Sequence, residues 1–300
     1  MISDKPGGCR LCPRQCNAKR DQGVKGVCGT AGEILVARAA LHMWEEPCIS
    51  GTKGSGTVFF SGCPLRCSFC QNREISDGSA GKAIDEQRLA EIFLELQEKG
   101  AANINLVTAG HYADRVARAL SEAKRRGLAI PIVWNSGGYE LPETLSLVAD
   151  LVDIWLPDFK FFSKETAARY AKAPDYPEIA KKAIAFMAEK AGPPVFDAEG
   201  YMKRGMIVRH LVLPGHRKEA EDIIRYLYET YGDRIYLSIM NQYTPPKEKL
   251  PEKELNRKLT RYEYDRTVAF AMDLGITNAY IQEGETAKES FIPPFTGEGV

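Results

Sequence analysis

Three cysteines, Cys63, Cys67 and Cys70, stand in a C-x3-C-x2-C run, GCPLRCSFCQN, and four more, Cys9, Cys12, Cys16 and Cys28, stand upstream. Thiols grouped this closely are metal ligands or redox groups more often than disulfide partners in a chain of 300 residues, which needs no covalent staples. Three thiolates in such a short run can wrap one inorganic cluster, and an iron–sulfur cubane normally takes four. A set of three leaves one iron with an open coordination position, where a cofactor or substrate can bind. Structural zinc typically uses paired C-x2-C knuckles. The triplet has no fourth ligand close by in sequence, so a zinc site there would have to borrow one from elsewhere.

The upstream set reads Cys9-x2-Cys12-x3-Cys16-x11-Cys28, interleaved with Pro13, Gly23, Gly26 and Gly29. Four thiols complete either a tetrahedral zinc site or a closed iron–sulfur cluster, and spacing does not separate the two. Unliganded thiols are the third reading. The eighth cysteine, Cys48, is expected to be a small buried residue. The glycine run Gly51-x2-Gly54-x-Gly56 precedes a strand pattern and not a helix, which is the wrong context for a phosphate cradle, and reads as a turn. HExxH, GxSxG and Walker A motifs are absent, against zincin, serine-hydrolase and P-loop chemistry.

These ligands need a scaffold. From residue 58 onward, short β-branched or aromatic runs alternate with amphipathic helical stretches, the pattern of parallel β/α architecture. Strands are predicted at 57–61, 103–108, 131–135, 152–156, 206–213 and 235–240, with a seventh near 278–282. Helices are predicted at 85–99, 112–126, 142–149, 164–190 with a break at Pro174 and Pro177, 216–231 and 260–274. Leu89, Ile92, Phe93 and Leu96 form one apolar stripe at i, i+3, i+4, i+7. Six βα units fit either an open doubly wound sheet or an incomplete (β/α) barrel. In both, reactive groups sit past the C-terminal ends of the strands, which is where the triplet follows the first one. Residues 1–56 read as a Cys-rich N-terminal extension and 57–300 as the core, with a charged, Pro-punctuated loop at 243–258.

Composition bounds the partners. Lys and Arg number 40 against 40 Asp and Glu, which removes the long-range attraction that nucleic acids and anionic membranes exert on basic proteins. A hydrophobic content of 44% supports a real core. The N-terminus, MISDKPGG, has no apolar h-region, and no stretch reaches a membrane-span length; a soluble, cytoplasmic protein is expected.

The triplet, with Phe69 just before its last cysteine and six βα units after it, resembles the radical S-adenosylmethionine (radical SAM) superfamily, and within it the group similar to pyruvate formate-lyase activating enzyme. The stretches EEPCISGTKGSGTVFFSGCPLRCSFCQNREIS, NINLVTAGHY, DIWLPDFK, APDYPE and RHLVLPG carry the likeness along nearly the whole chain. The resemblance implies an α/β fold, a partial (β/α)6 TIM-type barrel with a Cys-rich extension. It implies that the three cysteines hold a [4Fe–4S] cluster whose fourth iron is chelated by the amino and carboxylate groups of SAM. One electron then breaks the sulfonium C–S bond, giving a 5′-deoxyadenosyl radical that takes hydrogen from a glycine of a partner protein, or from a small molecule or an RNA or peptide side chain. The electron donor would be of flavodoxin or ferredoxin type. A non-catalytic iron–sulfur electron carrier or a zinc-stabilised binding protein is the competing class.

Positions follow from the likeness. Activases carry a Gly-Gly-Glu-type turn after the second strand for the SAM amino group; here that place reads Thr108-Ala109-Gly110-His111, without the acid, leaving backbone carbonyls, Thr108 or His111. Asn135 and Ser136 stand where an Asp-Thr pair reaches the ribose or amino group. Asp158-Phe159-Lys160 matches an Asp-Leu-Lys run, Lys160 pairing the methionyl carboxylate, and Arg209 matches an Arg in the same role. Asn241 stands where a His often sits near the adenine or ribose. The residues alone also allow Asp158 and Lys160 to be a strand-end ion pair, Asn135 a turn residue and His111 a helix opener. Arg209 in an apolar strand needs an anionic partner.

Overall fold

The computed structural model describes residues 8–282 and 293–300; the first seven residues of the N-terminus read above lie outside them. Among the described residues ten strands form one sheet: β1 (Ile34–His42), β2 (Ser55–Phe60), β3 (Lys82–Ile84), β4 (Ile104–Val107), β5 (Ile132–Ser136), β6 (Ile154–Pro157), β7 (Val195–Phe196), β8 (Met202–Leu211), β9 (Tyr236–Met240) and β10 (Ala279–Ile281). The parallel run is β2-β4-β5-β6-β8-β9-β10, so every strand expected from the alternation is present, the seventh included. Nine helices lie among them: α1 (Pro47–Ser50), α2 (Arg73–Ser76), α3 (Glu86–Glu98), α4 (Ala113–Arg125), α5 (Pro142–Leu145), α6 (Lys164–Ala171), α7 (Tyr176–Ala191), α8 (Arg217–Tyr231) and α9 (Arg261–Asp273) among the described residues. None is long and apolar enough to cross a membrane.

The pleat sorts side chains by a period of two. Val58, Phe60, Leu106, Trp134, Trp155 and Val208 pack beneath the crossover helices, meeting the Leu89, Ile92, Phe93 and Leu96 stripe of α3 in one core. The alternate residues Val133, Ile154, Leu156 and Ile207 face the interior with Cys48 and Ile49 of α1. Helix starts are set by caps: the Asp85 side chain accepts from Arg88 N–H, Ser163 from Thr166 N–H, and Thr260 with Glu263 closes a capping box, each worth about 1 kcal/mol. The long helical pattern after residue 164 is interrupted at Lys172, whose backbone is left-handed. Pro177 opens α7 instead of breaking it, because proline suits a helix's first turn. α5 stops at Leu145, short of the predicted 149.

Three strands escaped the sequence pattern. β1 lies in the Cys-rich extension and pairs antiparallel with β2, from Val36 opposite Phe60 to His42 opposite Ser55; β3 pairs with β1, and β7 with β8. The Ala-rich run of β1 is weak β material, and its place comes from pairing with β2. The last residues return to this edge, where Gly297 N–H donates to Ala37 C=O, Ala39 N–H to Glu298 C=O, and Phe295 meets Phe59 edge-on at 5.4 Å.

Candidate active site

β2 ends at Phe60 and is followed by Ser61-Gly62-Cys63. Gly62 has φ +87°, and a Cβ there would lie 2.4 Å from Thr30 Cγ2 and 2.7 Å from Cys28 C=O; only glycine permits the approach. The next N–H, of Cys63, donates to Cys28 C=O at 3.1 Å, so the two cysteine sets are joined directly. The loop carrying Cys63, Cys67 and Cys70 is pinned by Phe69, whose ring packs against Phe161, Tyr170 and Tyr243, each at 6.1 Å. Ser68 N–H donates to Tyr170 C=O, and Gln71 Nε2 to Gln242 C=O.

Burial pushes all three thiols up, Cys70 to about 11, while Lys160 works against it at each. The N–H groups of Arg66 and Leu65 also favour the Cys63 thiolate. The thiols act on one another electrostatically. Lys160 reaches this loop from the end of β6: burial would lower it, but Asp158 and then Cys67 hold it well above its ordinary value. Its Nζ lies 2.5 Å from Asp158 Oδ2, and its N–H donates to the Tyr176 hydroxyl.

Behind Lys160, the guanidinium of Arg209 commits three donors: Nε to Asp158 Oδ1 at 2.8 Å, Nη1 to Glu45 Oε2 at 3.2 Å and Nη2 to Asn135 Oδ1 at 2.6 Å. Burial would raise Asp158, but Arg209 and Lys160 outweigh it and keep its carboxyl below the usual range. Asn105 Nδ2 donates to Glu45 Oε1 at 2.9 Å. Burial raises both Glu45 and Glu46, with Arg209 opposing it. The anionic partner expected for Arg209 is therefore a pair, Asp158 and Glu45. Asn135 sits on a strand, facing this network; the turn alternative is excluded.

Beside Cys63 a cavity of about 30 Å³ is lined by Cys12, Thr108, Gly110, Ser136 and Glu140, among others. Thr108 has φ +62°, a strained backbone for a β-branched residue. Glu140 is 6% exposed, and its Oε1 accepts from Trp134 Nε1 at 2.9 Å while Oε2 has no partner among the described residues. Burial lifts this carboxyl to about 7 against the opposing donors Ser136 and Trp134. His111 is the middle residue of the Gly110–Tyr112 turn before α4 and does not itself open a helix; its Nε2 pairs with Ser61 C=O at 2.9 Å, and burial, with Arg20 adding to it, lowers its pKa to about 3. Asn241 N–H donates to Gln282 Oε1, and Asn241 is not among the cavity residues.

The upstream cysteines lie against the same end of the barrel. Short turns at Gln15, Asn17 and Gly29 fold the segment back, and a Cβ on Gly26 would lie 3.2 Å from Cys16 Sγ and 3.5 Å from Cys28 Sγ. Burial pushes Cys12 to about 12; Cys28, Cys9 and Cys16 all add to the rise. Arg20 sits 3.8 Å from Cys9 Sγ and donates to His111 C=O. Arg14 donates to the carbonyls of Pro64, Ala171 and Lys172, and Thr144 to Leu11 C=O, so this segment is strapped across the strand ends. All eight cysteines are free. Cys48 is buried in α1. Among the described residues no three His, Cys, Asp or Glu side chains are placed to hold a single metal ion.

Thus the structure brings together Cys63, Cys67, Cys70, Asp158, Lys160, Arg209 and Asn135, with Thr108, Ser136 and His111 around the adjoining cavity. Sequence reasoning missed Glu45, Asn105 and Glu140. The signal available was polar residues inside apolar strand patterns, Asn105 in NINLV, and acids beside strand ends, Glu45 and Glu140.

The radical SAM superfamily model matches residues 57–227. The chain belongs to the radical SAM superfamily. It is 27% identical over 270 residues to an uncharacterised protein, MJ0674, of Methanocaldococcus jannaschii, covering 88% of this chain and 74% of that one. Among solved structures, SuiB of Streptococcus suis bound to the precursor peptide SuiA superposes with a TM-score of 0.50 at 10% identity, over 72% of this chain and 46% of SuiB. The chain spans about half the length of SuiB. A domain of pyruvate-formate lyase-activating enzyme from Bacteroides vulgatus is also similar, with a TM-score of 0.41 at 15% identity, over 57% of this chain and 92% of that one. The three-cysteine loop that follows β2 lies within the matched residues.

Proposed function

We propose that Cys63, Cys67 and Cys70 hold a [4Fe–4S] cluster with one iron left for SAM. The observation that carries this reading is the convergence of three partly buried thiols and Lys160 at the C-terminal ends of parallel strands. The donor set suits the group: burial disfavours free thiolates, and a cationic cluster together with Lys160 supplies the charge that makes them ligands. When bound, such a cluster supplies the electron that breaks the sulfonium bond of SAM and starts hydrogen abstraction.

The chain's own groups then bind and shield. Lys160, fixed by Asp158 and Tyr176, is positioned to meet the methionyl carboxylate, with Arg209 as a second cation holding Asp158 in line. Asn135 and Ser136 reach the ribose or amino group, Thr108 and His111 border that pocket, and Asn241 serves the adenine or ribose. The aromatic clamp on Phe69 holds the loop against the strand ends. Residues 1–56 form the extension, with Cys9, Cys12, Cys16 and Cys28 as a second site for zinc or another iron–sulfur cluster, and 57–300 form the core. The hydrogen is taken from a partner-protein glycine or a small molecule, with a flavodoxin- or ferredoxin-type donor, in a reducing cytoplasm.

Anaerobically reconstituted protein is expected to hold about four irons and four sulfides at the triplet and to convert SAM to 5′-deoxyadenosine when reduced with dithionite. Cys63→Ala, Cys67→Ala and Cys70→Ala should each abolish that product. Undiminished product from any of them would refute the assignment.

A further inference from the structure

The outer edge of β1 is covered in two pieces. β3 pairs with it over Ile34, Leu35 and Val36. Beyond Val36 the edge is taken up by residues 293–300, where Gly297 N–H donates to Ala37 C=O at 2.9 Å and Ala39 N–H to Glu298 C=O at 2.8 Å. A sheet edge bonds through its main chain, so it accepts extended polypeptide from any source, and side-chain fit decides which.

The resident segment shows what fits. Phe295 packs on Phe59 in a cluster with Ile75, Ala80 and Val107. Ile75 belongs to α2, just after the cysteine triplet, and its C=O accepts from Gly62 N–H just before it, so this aromatic pocket borders the triplet's loop. Arg38 holds Glu298 at 2.9 Å, and Lys82 Nζ donates to Val300 C=O, so cations flank the edge where an acid sits. Gly299 has φ +75°, and a Cβ on it would lie 2.0 Å from Ala39 C=O, an approach that requires glycine. The edge thus selects an aromatic residue, an acid three places on and a glycine four places on. The hold is slight. It rests, among the described residues, on two main-chain bonds to β1, one ring, the exposed Lys82 bond and an ion pair whose acid is 57% exposed, and such a pair contributes little.

We propose that this edge of β1 is the docking site of a partner polypeptide, for which residues 293–300 are the resident stand-in. The partner carries an aromatic residue three places before an acid and four before a glycine. It displaces the strap and adds to β1 by strand pairing, with its ring in the pocket beside the triplet's loop. This deepens the partner-protein reading given under Proposed function and rests on it for what the docked chain undergoes. Docking itself needs no cluster.

Two measurements on the full chain test it. In wild type, hydrogen exchange at Ala39 N–H reports release of the strap, since Glu298 C=O is its partner; it should run at least about 10-fold faster than the β1 amides bonded to β2. Exchange as slow as theirs makes the segment a fixed part of the sheet and overturns the proposal, whether or not any variant folds. The second measurement titrates a labelled peptide of residues 293–300, read by fluorescence anisotropy. The resident segment competes with it in wild type, so the double variant Phe295→Ala/Gly299→Val, which loosens that segment, should bind the peptide at least about 10-fold tighter. A peptide carrying the same two changes should bind neither protein. Equal binding to wild type and variant, or undiminished binding of the altered peptide, overturns the proposal. A variant that dimerises and is dissociated by the peptide assigns the edge to a second copy of this chain and overturns the partner. Peptide docking without SAM cleavage refutes the cluster reading alone, and cleavage without docking refutes this inference alone.

Discussion

Replacing Glu140 by Gln should change how stability depends on pH. The carboxyl ionises at about 7 in the folded protein because burial disfavours its charge, against an ordinary 4.5. Below pH 4.5 both folded and unfolded chains carry the proton, and its contribution is fully present. Between 4.5 and 7 the unfolded chain gives up the proton and the folded chain retains it, so stability falls as pH rises. Above 7 the loss is complete. At 1.36 kcal/mol per pH unit the difference amounts to about 3 kcal/mol. Gln titrates in neither state, and every other group is common to both proteins. Urea unfolding of cluster-free protein under reductant, from pH 4.5 to 8, should show Glu140→Gln gaining about 3 kcal/mol relative to wild type across that span. Stability curves that run parallel from pH 4.5 to 8 would refute the buried, unpaired state of this carboxyl.

Gly62→Ala should cost about 1–3 kcal/mol in the same unfolding assay, from its left-handed backbone and its collision with Cys28 C=O, and should lower iron retention at the triplet; an unaffected variant would contradict the packing. Phe69→Ala removes the centre of the aromatic clamp and should lose about 3–5 kcal/mol, read by thermal unfolding. Asp158→Asn leaves Arg209 with only Glu45 and Glu46 as acidic neighbours and frees Lys160; a loss of about 3–5 kcal/mol is expected, against almost none if the pair is an ordinary surface bridge. Metal analysis of Cys9→Ala/Cys12→Ala should show selective loss of the second site's metal, zinc or iron, with the triplet's iron retained, whereas Cys48→Ala should leave all metal contents unchanged.

Much of this architecture was legible in the chain because parallel strands buried on both faces, and helices with one apolar stripe, impose their periods strongly; the α3 stripe is a direct case. β1 was not legible, since an Ala-rich strand carries little propensity and is placed by β2. The triplet could be read because its ligands lie within one loop. Lys160 was found through the likeness of Asp158-Phe159-Lys160 to a family run, and Arg209 as a charge in an apolar strand. Glu45 and Glu140 were not, because each meets its partners only through the folding of distant segments: Glu45 returns from beyond β1 to Arg209, and Glu140 reaches Gly110 across neighbouring strand ends. The adjacency of the two cysteine sets was equally hidden, since it depends on the approach of Cys28 to Gly62.

The central claim is that three protein thiols hold a cluster whose remaining iron meets SAM. Electron paramagnetic resonance of the dithionite-reduced protein, before and after adding SAM, tests it most directly. A reduced-cluster signal lost in Cys63→Ala, with g values that shift when SAM is added to wild type, is the predicted result; a signal that persists in that variant, or that SAM leaves unchanged, would contradict it.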